Sequence, residues 1–440
     1  MVLVVGMARS GVAAAKLLQS RGFSVFVTDA GSPKEAAAEL DAAGIPYETG
    51  HHTRLMFLDA EEIVVSPGVP LDIEPLAAAR ASRVPIIAEV ELAFRYLKGK
   101  IVAITGSNGK TTTTTLTGEI LKAAGRDVQV GGNIGVAMTG LVAGSTPETI
   151  NVVEVSSFQL DGIRTFRPDV GVLMNITPDH LDRYASFEAY CASKFRLFEN
   201  QGPDDTSVLN RDDAKVFPPP VPVSSRQLLF SQKSVVERGA YRSGNDIVLN
   251  GIRVMGVDEV RVPGAHNIEN VLAAMTVASC YGVEPSGIAE TVRRFRGVEH
   301  RIELCGSIRG VDLYNDSKAT NVDSAIKAIE AFDRAIILIM GGKDKGASYA
   351  PLVDAMKGRV KHVLLIGAAA QKISSAIGTG FPKTFVATMR EAVEEGLERS
   401  AAGDVVLLSP ACASFDMFDN YEHRGRVFKA EVKRISERHG

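Results

Sequence analysis

Val102-Ala-Ile-Thr-Gly-Ser-Asn-Gly-Lys-Thr-Thr112 is an apolar run that stops at a glycine-rich turn closing on Lys-Thr. A strand that feeds such a turn and then a helix aims successive backbone N–H groups, and the positive end of a helix dipole, at one point. An anion belongs there. The turn residues Gly106, Ser107, Asn108 and Gly109 would cradle the phosphates of ATP. Lys110 would reach the outer phosphates, the Thr111 hydroxyl would complete the shell of a Mg²⁺ ion, and Thr112 would follow in the same helical turn. The spacing departs from the common G-x-x-x-x-G-K-[ST] pattern, because Ile104 stands where the first glycine should be. The competing reading is a strand–helix connection without a ligand.

Working outward, 440 residues suggest about three domains, each large enough for a core of its own. A formal net charge of −3 leaves no electrostatic footprint for nucleic acid. The N-terminus runs Met1-Val-Leu-Val-Val5 into Gly6, too short an apolar stretch for a signal peptide or a membrane span. The expectation is a cytoplasmic monomer with no membrane partner. Cys191, Cys280, Cys305 and Cys412 lie far apart without a C-x-x-C pair, so they read as reduced packing residues.

Short β-branched runs at 2–5, 24–28 and 62–66, with a helical pattern from Val12 to Ser20, make a small α/β unit that ends near Tyr96. A larger unit follows, with strands at 101–104, 151–155 and 170–174 and a helix from Phe187 to Asn200. Its alternation predicts parallel pairing. From Val208 to Val262 short strands with Pro/Gly punctuation read as a small side sheet, and helices run from His266 to Arg294. A third unit begins near Val298, with strand-like runs at 310–314, 335–340, 362–367 and 404–409.

Several further segments carry unusual polar chemistry: Gly131-Gly-Asn-Ile-Gly135, Glu154-Val-Ser-Ser-Phe-Gln-Leu160, Asn175-Ile-Thr-Pro-Asp-His-Leu-Asp-Arg-Tyr184, Lys194, Asn315-Asp-Ser-Lys-Ala-Thr-Asn321 and Ser409-Pro-Ala-Cys-Ala-Ser-Phe-Asp416. Together they resemble the Mur ligases, over essentially the whole chain, and most closely the branch that adds D-glutamate. The resemblance implies an α/β fold of three domains. These are a Rossmann-like N-terminal domain (1–96) for a uridine nucleotide, a central P-loop ATPase domain (97–297) and a Rossmann-like C-terminal domain (298–440) for the amino acid. It implies ATP-dependent joining of D-glutamate to UDP-N-acetylmuramoyl-L-alanine through an acyl phosphate, with two Mg²⁺ ions.

Residue by residue the expectations are these. Glu154, ending a strand beside the phosphate loop, reads as a cation ligand or as a capping or surface acid; the resemblance makes it a Mg²⁺ ligand. His180, by itself a turn histidine, becomes a second metal ligand. Lys194 lies in an apolar helix and could snorkel to solvent; in the resemblance it carries a carbamate that helps hold Mg²⁺, which requires a neutral amine such as burial favours. Asn267 and Asn270, helix caps on their own, correspond to adenine contacts, and Arg301 and Asp316 to further ATP contacts. Lys318, also assigned a catalytic part, together with Thr320, Lys345, Ser414 and Tyr421 corresponds to positions around the amino acid; Tyr421 stands where relatives often have Phe. Asn133, Ser156 and Gln159 fall to the acceptor.

The turn Gly6-Met-Ala-Arg-Ser-Gly11, with Asp29 after the next strand, imitates a dinucleotide fingerprint with Ala8 in place of the middle glycine. The resemblance assigns Ser10 and Gly68 to the diphosphate of the uridine nucleotide. Two other classes stay open on sequence: a P-loop switch or motor, and a nicotinamide dehydrogenase resting on Gly6–Gly11. A sister ligase adding another amino acid is the nearest rival.

Overall fold

A computed structural model describes residues 1–178, 183–344, 346 and 348–439. The continuous apolar runs become strands covered on both faces, as in Ile336–Gly341, buried at all six positions, and Ile150–Glu154, buried at all five. This is the pattern of parallel sheets sandwiched between helices. Three sheets result, and the fold is α/β.

The first sheet has the order Tyr47–Thr49, Val25–Asp29, Val2–Val5, Glu62–Val65, Ile86–Ala88, all parallel. Strand order reverses beside Val2–Val5, so a crevice opens where the turns after Val5 and Val65 diverge. The Ser66 hydroxyl donates to the Gly6 carbonyl there at 3.1 Å.

The second sheet has nine strands. Lys100–Thr105, the strand of the glycine turn, lies between Val170–Leu173 and Ile150–Glu154, with Val128–Gly132 at the edge. The helix Lys110–Ala123 carries the chain out to that edge and Ile150–Glu154 returns inward, which puts the switch point at the glycine turn. The strands expected to form a side sheet instead extend this one. The fully buried Thr206–Asn210 pairs parallel with Val170–Leu173, and Arg226–Ser231, Gly239–Ser243, Asp246–Leu249 and Ile252–Gly256 follow in order. Pro/Gly punctuation shortened the strands without interrupting the ladder.

These two sheets belong to one compact unit, residues 1–259 with 268–293. The helix Glu89–Phe94, which follows the last strand of the first sheet, ties them together through two buried acids. Glu89 accepts from the backbone and hydroxyl of Thr139, at 2.6 and 2.7 Å. Glu91, with no exposed surface, accepts from the amides of Arg164, Thr165 and Phe166 and from the Thr165 hydroxyl.

The second unit comprises residues 260–267 and 294–440. Its six-stranded sheet has the order Glu303–Ile308, Val311–Asn315, Val405–Leu408, Ile336–Gly341, Val360–Ile366, Lys383–Val386, antiparallel only between the first two. The three central strands deliver the loops 316–321, 409–416 and 342–344 to one carboxyl edge.

Burial raises the Glu91 carboxyl, but the hydrogen bonds from Thr165, Arg164 and Phe166 outweigh it and hold the group below its ordinary value. A depressed carboxylate contributes stability above its unfolded value and loses it as pH falls through the folded one. Glu91→Gln should therefore cost on the order of 2–3 kcal/mol at neutral pH. The gap from wild type should narrow as pH drops below about 4.5, as read by denaturant unfolding at several pH values.

Candidate active site

The glycine turn is held from both sides. Ser107 and Asn108 donate their amides to the backbone and side-chain oxygens of Asn175, at 2.8 and 2.9 Å. The Ser107 hydroxyl donates to the Thr177 carbonyl at 3.0 Å and lies 3.0 Å from the Tyr190 hydroxyl. Both glycines are required. Gly106 has φ +150° and a Cβ there would stand 2.8 Å from Met174 Cβ, while Gly109 has φ +83° and a Cβ would lie 2.3 Å from Asn270 Oδ1.

Two lysines converge on this turn. Lys110 Nζ donates to the carbonyls of Gly106 (2.8 Å) and Ser107 (2.9 Å), and Lys194 Nζ donates to the same Gly106 oxygen at 3.0 Å. Lys194 is only 1% exposed and its ammonium sits 4.6 Å from the Tyr190 ring centroid, so it does not snorkel to solvent. Beside them Thr111 Oγ1 donates to Glu154 Oε2 at 2.7 Å and Asn133 Nδ2 donates to Oε1 at 3.1 Å. Glu154 is buried, neither a surface acid nor a cap, and a hydroxyl next to a buried carboxylate is an oxygen donor set suited to a hard divalent cation. Thr112 is buried in the next position of the helix. His180 lies outside the described residues.

Asn270 lies on the helix Ala265–Cys280 and its Oδ1 accepts from Thr113 Oγ1 at 3.2 Å. Asn267, in the segment grouped with the second unit, donates to the Pro263 carbonyl at 2.6 Å. Neither is a helix cap, since the helix begins at Ala265.

Next to the crevice of the first sheet a cavity of about 180 Å³ is lined by Arg9, Ser10, Gly68, Asn133, Gly135 and Gln159, among others. It brings together Ser10, Gly68, Asn133 and Gln159 of the residues expected at the acceptor. Ser156 stands next to them, forming a reciprocal capping box with Gln159 on a short helix. Asp29 is occupied by the amides of Met7 (2.6 Å) and Gly31 (2.7 Å), so it braces the turn instead of facing a ribose.

In the second unit, Asp316 Oδ2 accepts from the Ser409 hydroxyl at 2.9 Å. Burial pushes its carboxyl up to about 7 against the opposing pull of Ser409 and Arg301. Arg301 Nε is buried with no hydrogen-bond partner among the described residues. Lys318 Nζ stands 5.5 Å from the Tyr421 ring centroid, and Thr320 closes a tight turn onto the Lys318 carbonyl. Ser414 is buried in the loop that follows Leu408. Lys345 lies outside the described residues.

Family models match in chain order. The one described as "Mur ligase MurD-like, N-terminal domain" covers residues 1–88, "Mur ligase middle domain" covers 104–278, and "Mur ligase, glutamate ligase domain" covers 300–412. The chain belongs to the Mur ligase family. Its architecture is the three-domain one of these ligases, and the chain is an ATP-dependent amide ligase by family. It is 49% identical to a UDP-N-acetylmuramoylalanine–D-glutamate ligase of Acidobacterium capsulatum, over 97% of this chain and 95% of the relative. To the protein of the same name from Koribacter versatilis it is 45% identical, over 99% and 98%. Among solved structures, the fold is shared with UDP-N-acetylmuramate-alanine ligase MurC of Thermotoga maritima (TM-score 0.61, 21% identity, 99% of each chain). It is shared too with the MurF ligase of that organism in complex with ADP (TM-score 0.61, 18% identity, 94% and 96%).

Sequence reasoning missed Arg424. It is 2% exposed; Nε donates to Ser317 Oγ (2.9 Å), Nη2 to the Ser317 carbonyl (2.8 Å), and both terminal nitrogens to the Cys412 carbonyl (3.1 Å each). This Mur ligase thus pins two of its polar loops with one guanidinium. In the helix Tyr421–His439, which carries several arginines, nothing in the sequence marks this one as buried. Arg424→Met, of similar length but without donors, should cost on the order of 3 kcal/mol by leaving buried oxygens unpaired. Arg424→Lys should recover only part, because one ammonium cannot span both loops; urea unfolding midpoints check both.

Proposed function

We propose that this Mur ligase joins D-glutamate to the carboxylate of UDP-N-acetylmuramoyl-L-alanine at the expense of ATP, a step of peptidoglycan precursor synthesis. The observation that carries the reading is the convergence of Lys110, Lys194, Thr111 and Glu154 at a nucleotide-type glycine turn. A hydride-transfer reading loses support because Asp29 is tied into the Gly6 turn. A switch or motor would not need the polar loops that Arg424 fastens. The domains are taken as 1–96, 97–297 and 298–440, acting as a monomer in the cytoplasm, where ATP is supplied.

The acceptor carboxylate attacks the γ-phosphorus of ATP; the bond to the bridging oxygen breaks, ADP departs and an acyl phosphate remains. Lys110 follows the γ-phosphoryl group by exchanging the Gly106 and Ser107 carbonyls for phosphate oxygens, so its charge is in place as negative charge shifts. The backbone N–H groups of Gly106 to Thr112 hold the phosphates, with Asn267, Asn270, Arg301 and Asp316 as further ATP contacts. Mg²⁺ when bound offsets phosphate charge; Thr111, Glu154, His180 and Lys194 would hold the two ions, Lys194 as a carbamate whose formation from CO₂ needs the neutral amine that burial favours.

The neutral amine of D-glutamate then attacks the acyl carbon and phosphate is expelled. Lys318, Thr320, Lys345, Ser414 and Tyr421 surround the amino acid, setting cationic and hydroxyl donors against two carboxylates. Asn133, Ser156 and Gln159 orient the acceptor, and Ser10 and Gly68 face its diphosphate.

Phosphate release measured with the uridine-linked acceptor across a panel of amino acids tests the reading. D-glutamate should be preferred, D-aspartate should be poor, and L-glutamate should fail, since its amine points away when both carboxylates are seated. Equal or faster release with L-alanine or a diamino acid would overturn the specificity. Lys194→Ala should lose activity that acetate or formate partly restores by filling the vacated anion position; undiminished turnover in that variant would remove Lys194 from the reaction.

A further inference from the structure

The two residues so far assigned to the acceptor's diphosphate, Ser10 and Gly68, are uncharged, and so are Asn133 and Gln159, which line the same cavity. A diphosphate brings two negative charges. A helix N-terminus and neutral donors offset only part of that, since the dipole amounts to roughly half an elementary charge. Among the residues lining the 180 Å³ cavity, Arg9 alone carries a charge. It is the first residue of the helix Arg9–Ser20 and is exposed. Nη1 donates to the Gly135 carbonyl at 3.1 Å, and the guanidinium forms no ion pair among the described residues. A cation beside a cavity of neutral donors, set against a carbonyl instead of a carboxylate, keeps its charge available for an anion.

We propose that Arg9 is the cationic determinant for the diphosphate of the uridine-linked acceptor, an assignment that rests on the function proposed above. A guanidinium has five N–H donors, so it can hold two phosphate oxygens side by side without leaving Gly135. The contact then does two things. It supplies the charge the neutral lining lacks, and it fastens the Gly6–Gly11 turn to the Gly131–Gly135 loop. That loop also carries Asn133, which donates to Glu154, the partner of Thr111. Seating of the diphosphate is thereby linked, through Gly135 and Asn133, to the carboxylate beside the phosphate loop.

The test compares wild type with Arg9→Ala, Arg9→Gln and Arg9→Lys, using UDP-N-acetylmuramoyl-L-alanine and an acceptor lacking the uridine diphosphate, such as 1-O-methyl-N-acetylmuramoyl-L-alanine. Loss of a charge-assisted pair should raise KM for the nucleotide-linked acceptor about 10- to 100-fold in the Ala and Gln variants, and much less in Lys. KM for ATP and for D-glutamate should stay put, and on the nucleotide-free acceptor all four proteins should behave alike. Arg9→Gln keeps a donor but no charge, so wild-type behaviour there would reduce Arg9 to a latch and overturn the proposal. A KM increase of equal size on both acceptors would overturn it too. Equilibrium titration with UDP and with uridine separates this from the ligase reading. If wild type ligates neither acceptor the proposed function falls, whereas Arg9→Gln binding UDP as tightly as wild type sinks the Arg9 assignment alone.

Discussion

One carbonyl oxygen, that of Gly106, receives the ammonium groups of both Lys110 and Lys194, and the arrangement of side chains around the glycine turn depends on that meeting. The carbonyl points there only because Gly106 takes a positive φ against Met174 and Asn175, which a side chain would block. Lys194 reaches it only because its helix, Phe187–Phe195, is buried along the face that carries Tyr190 and Lys194.

The second constraint is topological. In each sheet the strand order reverses, beside Val2–Val5 in the first and beside Lys100–Thr105, third from one edge, in the second, so loops far apart in sequence arrive together. This is how Ser66 comes to bond Gly6, how Glu154 comes to stand beside Thr111, and how the loops at 316–321 and 409–416 come close enough for Arg424 to hold both. Large apolar strands fix the frame, and the polar residues act where the frame ends.

Much of this was legible in the chain. Continuous apolar runs such as Ile336–Gly341 mark parallel strands buried on both faces, and Gly-Lys-Thr-Thr marks the turn from the strand Lys100–Thr105 into the helix Lys110–Ala123, because both signals are local. Edge strands were less readable: Tyr47–Thr49 is half-buried at every position and Lys383–Val386 is short and partly exposed, so neither has a clear period. The strands from Arg226 to Gly256 were seen but misplaced, since pairing across Thr206–Asn210 is a non-local fact. Lys194 and Arg424 illustrate the same limit for side chains. Charged residues on helices are ordinarily solvated, and only tertiary packing shows that these two are buried on backbone oxygens.

The central claim is that the phosphate loop transfers the γ-phosphoryl group to a carboxylate oxygen of the acceptor, and not to water. Turnover of an acceptor labelled with ¹⁸O in the L-alanyl carboxylate, followed by mass analysis of the released phosphate, tests it most directly. The account predicts one labelled oxygen per phosphate, carried over when the acyl phosphate is opened by the amine. Phosphate that instead takes its new oxygen from solvent, with the label left wholly in the acceptor, would contradict it.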